Sequence, residues 1–277
     1  MSPEFPPVAT IIERDVRDAL ARGGEQPIVI GLCGAQGSGK STAAAQVHAA
    51  LIASGIRSAV LSLDDLYLTA AERNALSEEV HPLLRTRGVP GTHDVALGMI
   101  ILDQLQSGKP VRLPKFDKAC DDRAPPDRWQ VAPPGVQIVL FEGWCVGARP
   151  QSQAALAAPV NALEAEQDRS GSWRSYVNDQ LAGRYQSLFA RLDRLILLEA
   201  PSFDVVRAWR TEQEEGLRRA AGNGIGAGMN DAEIEIFIQH YERLTRHILE
   251  EMPARADLSI VLDEHRTVIG VKRVLTN

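Results

Sequence analysis

Ile28-Val-Ile-Gly-Leu-Cys33-Gly34-Ala35-Gln36-Gly37-Ser38-Gly39-Lys40-Ser41-Thr42 is the stretch on which the fold turns. Gly34 to Ser41 fits G-x-x-x-x-G-K-[ST] in full, directly after an apolar run and directly before the alanine-rich stretch Lys40–Ala53. The glycines let successive N–H groups converge on a phosphate, and the N-terminus of the following helix adds partial positive charge. Lys40 then reaches the β- and γ-phosphates and the Ser41 hydroxyl serves Mg²⁺. A chance glycine-rich turn would not have a strand behind it and a helix ahead.

The apolar runs Ala59–Leu63, Ile138–Phe141, Leu195–Leu198 and Leu258–Leu262 resemble Ile28–Cys33. Continuous apolarity is the mark of a strand buried on both faces. Helical spacing occupies Lys40–Ala53, Val95–Gln106, Trp173–Arg191, Phe203–Arg219 and Asp231–Glu251, and Val8–Leu20 predicts an amphipathic helix ended by Gly23-Gly24. The alternation predicts an α/β fold, a mostly parallel five-stranded sheet with helices on both faces, and one domain over 1–277. Two charged, proline-rich segments, Thr69 to Thr92 and Lys109 to Pro134, read as long loops, and loops of that length are usually functional or disordered. The run Gly222–Gly228 reads as a hinge for a lid over 203–230 or as a plain linker.

The chain has 277 residues, 44% of them apolar and 24% charged, which excludes disordered and fibrous classes. No apolar run approaches the roughly 20 residues of a membrane span, and no basic flank with an apolar stretch opens the chain, so cytoplasm is the expected location. A net charge of -6 disfavours nucleic acid and anionic membrane as partners. An anionic ligand must instead meet a local positive cluster. The lysines are Lys40, Lys109, Lys115, Lys118 and Lys272; Lys40 sits in the phosphate loop, and Lys115 and Lys118 lie close together in the second long loop. Cys33, Cys120 and Cys145 match neither a zinc site nor a disulfide framework and read as structural thiols.

Two further motifs bear on the chemistry. Leu61-Ser-Leu-Asp64-Asp65-Leu-Tyr67 sets paired carboxylates at the end of a strand near the phosphate loop, where open α/β sheets bind ligands. A carboxylate there accepts the proton of an attacking hydroxyl; taken alone, the pair also fits a helix cap and a surface acid. Val139-Leu-Phe-Glu142-Gly-Trp144 closes an apolar run with an acid, the place for a Mg²⁺ ligand.

Gly34–Thr42, Ser62–Tyr67 and Leu140–Gly143 together resemble the P-loop kinases that include uridine kinase, pantothenate kinase and phosphoribulokinase. Leu84-Arg85-Thr-Arg87-Gly88-Val-Pro-Gly91-Thr92-His93-Asp94, Pro114-Lys115-Phe-Asp117-Lys118, Asp122-Arg123, Trp209-Arg210 and Phe237–Thr245 are similar to the D-glycerate 3-kinases within that group. The resemblance covers about residues 28 to 265. It implies ATP and Mg²⁺, a small-molecule acceptor, and parallel-strand order 2-3-1-4-5. It implies Asp64 as base, with Lys40 and Arg210 catalytic, and Gly34 to Thr42 with Arg207 around the nucleotide. Ser41, Glu142 and Asp65 would serve the metal. The excursions in 69–134 become substrate loops, and Asp64, Tyr67, Arg87, His93, Asp94, Lys115, Asp117, Lys118 and Arg123 are the acceptor-site candidates, a forked or point cation suiting a carboxylate. His93 by itself equally fits a satisfied structural histidine, and Arg207 and Arg210 a solvated helix face with Glu212, Glu214 and Glu215.

The expected reaction is therefore phosphoryl transfer to a small hydroxy acid, D-glycerate foremost. Uridine, pantothenate or a pentose phosphate keeps the chemistry and changes the acceptor. An ATP-sensing regulator without turnover is the reading from another class, and the Asp64, Lys115 and Lys118 constellation counts against it.

Overall fold

The computed structural model describes residues 5–24, 26–221 and 229–274. In chain order the elements are α1 (Val8–Arg22), β1 (Ile28–Gly34), α2 (Lys40–Ala53), β2 (Ser58–Ser62), α3 (Ala70–Glu79) and α4 (Val95–Gln106). Four short strands follow: β3 (Val111–Leu113), β4 (Phe116–Asp117), β5 (Asp122–Arg123) and β6 (Gln130–Ala132). The chain continues with β7 (Ile138–Gly143), α5 (Ala162–Gln167), α6 (Ser172–Gln180), α7 (Gln186–Phe189), β8 (Arg194–Glu199), α8 (Asp204–Ala221), α9 (Asp231–Glu251), β9 (Leu258–Leu262) and β10 (Val268–Arg273).

The central sheet has the order β2-β7-β1-β8-β9-β10. Its first five strands are parallel, and β10 runs antiparallel to β9. Alternate residues of β1 face opposite cores: Val29 and Cys33 join one cluster, and Ile28, Ile30 and Leu32 join the other. Both faces are covered, so the strand reads as an unbroken apolar run. Alternation of the chain through the sheet leaves the carboxyl ends of β1, β2 and β7 side by side, with Ser62 in register with Glu142 and Cys33 with Gly143.

Four expectations need correction. The sheet has six strands, because Val268–Arg273 adds an edge strand whose apolar content is too low to stand out in sequence. The two segments expected as long loops carry structure: that from Lys109 holds two small antiparallel pairs, β3 with β6 and β4 with β5, and that from Thr69 contains α3, started by a capping box in which Thr69 accepts the Glu72 N–H at 3.3 Å and Glu72 accepts the Thr69 N–H at 2.7 Å. The helix expected over Trp173–Arg191 is broken, since Gly183 leaves helical geometry (φ −94°, ψ −108°) between α6 and α7. Of the thiols, Cys33 and Cys145 are buried, and Cys120 is exposed. The hinge expected at Gly222–Gly228 lies outside the described residues.

The motif-free stretch after Pro150 is tied down by buried charge. Arg243 forks onto Glu164 at 2.7 and 2.6 Å, and Arg174 holds Asp168 at 2.9 Å, all four side chains being buried. No helix among the described residues is long and apolar enough to cross a membrane.

Candidate active site

The phosphate loop folds as its sequence demands. Gly37 and Gly39 adopt left-handed backbone (φ 74° and 87°), open to glycine at no steric cost. At Gly37 space forbids a side chain as well, since a Cβ would stand 2.6 Å from the Cβ of Trp209. Residues Gly37 to Ala43, with Lys40, Ser41 and Thr42 among them, line a cleft of about 510 Å³ bordered by Trp209, Gln213 and Arg266. Trp209 itself is packed, only 1% exposed.

Glu142, at the end of β7, accepts the Ser41 hydroxyl at 3.1 Å and the Ser62 hydroxyl at 2.7 Å through Oε1. Its Oε2 is buried with no protein partner. A buried carboxylate oxygen left open beside a serine hydroxyl is a hard-oxygen donor set that fits Mg²⁺, which takes few protein ligands and completes its shell with phosphate and water. Asp65 is placed differently from the metal role expected of it: its carboxylate accepts the Phe116 N–H at 3.0 Å and the Lys115 ammonium at 3.2 Å. It thereby fixes β4, which carries the following loop, against the sheet.

Asp64 lies at the centre of the site. Oδ1 accepts the Tyr67 hydroxyl at 2.6 Å and Oδ2 the Lys118 ammonium at 2.7 Å. Burial opposes its charge, but Lys118 and Lys40, with the hydrogen bonds from Lys118 and Tyr67, outweigh it and hold the carboxyl well below the usual range. Burial, then the Asp64 charge, pushes the Tyr67 phenol up. The Tyr67 ring stacks on His93, centroids 4.8 Å apart.

His93 is buried, and burial pushes its imidazole down to about 3, so the ring is neutral at physiological pH. The Tyr185 hydroxyl accepts the Gly91 N–H at 3.0 Å and lies 2.6 Å from His93 Nδ1. The other ring nitrogen, Nε2, is a buried atom with no hydrogen-bond partner. Arg123 repeats the pattern: Nη2 donates to the Tyr67 carbonyl (3.0 Å) and Asp94 (3.2 Å), while Nε is buried and unpartnered. Asp94 also caps α4 through the Leu97 N–H at 2.9 Å. His93 and Arg123, each with an unpartnered buried nitrogen, thus both contact Tyr67.

Arg87 pairs with Asp121 and lies over the Phe116 ring. Asp117 accepts the N–H groups of Ala119 (3.0 Å) and Cys120 (3.4 Å) through Oδ1 and so shapes its own loop. Arg207 and Arg210, expected around the nucleotide, both pair with acids. Arg207 pairs with Glu235 at 3.1 Å on the exposed side of α8. Arg210 pairs with buried Glu214, donates to Gln213 at 2.9 Å and lies 5.0 Å from the Phe237 ring.

Several site residues escape a reading of the sequence. Arg73, 2% exposed, ties the carbonyls of Leu68, Arg85 and Asp121 together and holds the Asp121 carboxylate at 2.8 Å. The Thr69-x-x-Glu72 box signals the helix that carries it. Tyr185 reaches the site because the Gly183 break ends α6, and Tyr241 donates to the Arg87 carbonyl at 2.9 Å from the far end of the chain. Tyr241 falls in the segment Phe237–Thr245 noted for its resemblance, but nothing local marks either tyrosine as a partner of this site.

No protein-family model matches the chain. A kinase of Schizosaccharomyces pombe described as uncharacterized, mug58, is 33% identical over 261 residues, spanning 87% of this chain and 90% of that protein. The chloroplastic D-glycerate 3-kinase of Arabidopsis thaliana is 28% identical over 261 residues, spanning 88% of this chain and 54% of that protein. The solved structure of a D-glycerate 3-kinase from Cryptococcus neoformans superposes with a TM-score of 0.81 at 26% identity, covering 98% of this chain and all of that one. The phosphate loop, the aspartate at the end of β2 and these relatives converge: the chain belongs to the glycerate kinase-like P-loop kinases, phosphotransferases with an alcohol acceptor.

Proposed function

We propose that the protein transfers the γ-phosphoryl group of ATP to a hydroxyl of a small hydroxy acid, D-glycerate at its 3-hydroxyl. The observation that carries this reading is the Asp64–Lys118 pair at 2.7 Å, held between the phosphate loop and a substrate loop. In that pair Asp64 is a weak base. An acceptor with its own carboxylate competes for the Lys118 ammonium, and the carboxylate it frees becomes more basic as its hydroxyl partner arrives. The unpartnered nitrogens Arg123 Nε and His93 Nε2 supply further contacts for the acid and its second hydroxyl. The acceptor's hydroxyl proton passes to Asp64 Oδ2, and Tyr67 keeps the carboxylate oriented through Oδ1.

Lys40 and the N–H groups of Gly37 to Ser41 hold the phosphates in place. Ser41 and Glu142 would hold Mg²⁺, which when bound neutralises charge on the phosphate oxygens. The test is ADP release with D-glycerate, uridine, pantothenate and a pentose phosphate as acceptors, with the phosphorylated product identified by phosphorus NMR. Turnover on D-glycerate well above the acceptor-free ATPase is the expected result. Turnover confined to another acceptor would reject the substrate, and none with any acceptor would favour a regulator.

A further inference from the structure

We infer that Arg266 positions the nucleotide: the edge of its guanidinium fixes the Gly37 peptide of the phosphate loop, and its plane receives the purine base. The inference rests on reading that loop as a nucleotide site. Arg266 sits in the turn between β9 and β10, which Asp263 locks by accepting the N–H groups of His265 (2.9 Å) and Thr267 (2.7 Å). The turn places Arg266 in left-handed backbone at φ 65°, one of two non-glycine residues so placed among the described residues. Glycine would take that geometry freely, so what the position gains from arginine is its side chain.

That side chain joins three elements. Nε donates to the Gly37 carbonyl at 2.6 Å, Nη1 pairs with Glu212 of α8 at 2.6 Å, and the guanidinium lies 5.1 Å from the Trp209 ring. Trp209 in turn donates to the Glu264 carbonyl at 2.6 Å, so α8, the phosphate loop and the turn brace one another. Arg266 also lines the cleft shared with Lys40, Ser41 and Thr42. Beside Trp209 and with 29% of its side-chain surface still exposed, the guanidinium is a flat cationic group at the rim of a phosphate site, suited to the π-face of a base. A lysine has neither the fork nor the plane.

The experiment measures ADP and tripolyphosphate binding by calorimetry on the full chain, for wild type, Arg266→Gly and Arg266→Lys. Glycine keeps the left-handed turn, so the ligand-free variant should still unfold in one cooperative transition, at a temperature lowered only by the lost Gly37, Glu212 and Trp209 contacts. ADP binding should weaken about 10-fold or more in Arg266→Gly, tripolyphosphate binding by a smaller factor, and Arg266→Lys should recover only part of the loss. Equal losses for the two ligands would overturn the base platform, and unchanged ADP binding would overturn the whole inference. If wild type binds neither ligand, it is the nucleotide reading that fails.

Discussion

Replacing Asp64 by Asn separates catalysis from binding and folding. The substitution keeps the shape of the side chain and the oxygen that accepts the Tyr67 hydroxyl, at 2.6 Å in the native site. It removes the proton acceptor and the charge that meets Lys118. Loss of a positioned general base costs about 10²- to 10⁴-fold in kcat, which is roughly 3–5 kcal/mol of transition-state stabilisation. The fold should lose far less. The Lys118 side chain is 56% exposed and turns to water when its partner goes, so the pair is worth about 1 kcal/mol or less to stability. Coupled ADP release with D-glycerate reads the first quantity, urea unfolding the second and calorimetry with ADP the third. Turnover within about tenfold of wild type, with folding and ADP binding intact, would refute Asp64 as the base.

Other perturbations probe the surrounding parts. Glu142→Gln keeps both serine hydrogen bonds but removes the open anionic oxygen, so the Mg²⁺ concentration for half-maximal activity should rise about 10- to 100-fold; an unchanged Mg²⁺ titration would remove Glu142 from the metal site. Glu164→Ala leaves the buried Arg243 unpaired and should cost about 3–5 kcal/mol in urea unfolding, with ADP binding unchanged in the folded fraction. His93 binds its proton more weakly folded, near pH 3, than unfolded, near 6.5. Its stabilising contribution is therefore full above pH 6.5 and falls as pH drops toward 3, by about 2 kcal/mol between pH 7 and 5. His48 and His240 are shifted in the same direction, so the diagnostic is the difference in slope between wild type and His93→Asn; equal slopes would contradict a buried neutral His93.

Legibility in the sequence followed the range of the interactions. The phosphate loop is local: a strand, a turn of glycines and a helix start within one continuous stretch, and each residue type is required by backbone geometry or phosphate chemistry. The same holds for α4 and α9, whose ends fall where the apolar spacing and the caps Asp94 and Asn230 put them. Asp64 and Glu142 were readable because each ends an apolar strand, and the sheet brings such ends together.

Long-range pairing was beyond the sequence's reach. Which partner a charged side chain takes depends on distances set by packing, so Asp65 and Asp117 went to backbone N–H groups, Arg207 to Glu235, and Arg210 to Glu214. Tyr185, Tyr241 and Arg266 reach the site across gaps of 92, 154 and 229 residues to His93, Arg87 and Gly37. Sequence alone thus determined the phosphate loop, the α/β class and the chemistry at the strand ends, because short-range backbone and burial rules suffice for them. Only the tertiary structure decided which nitrogens stay unpartnered on the residues against Tyr67 and what braces the loop, because those outcomes depend on side chains meeting in three dimensions.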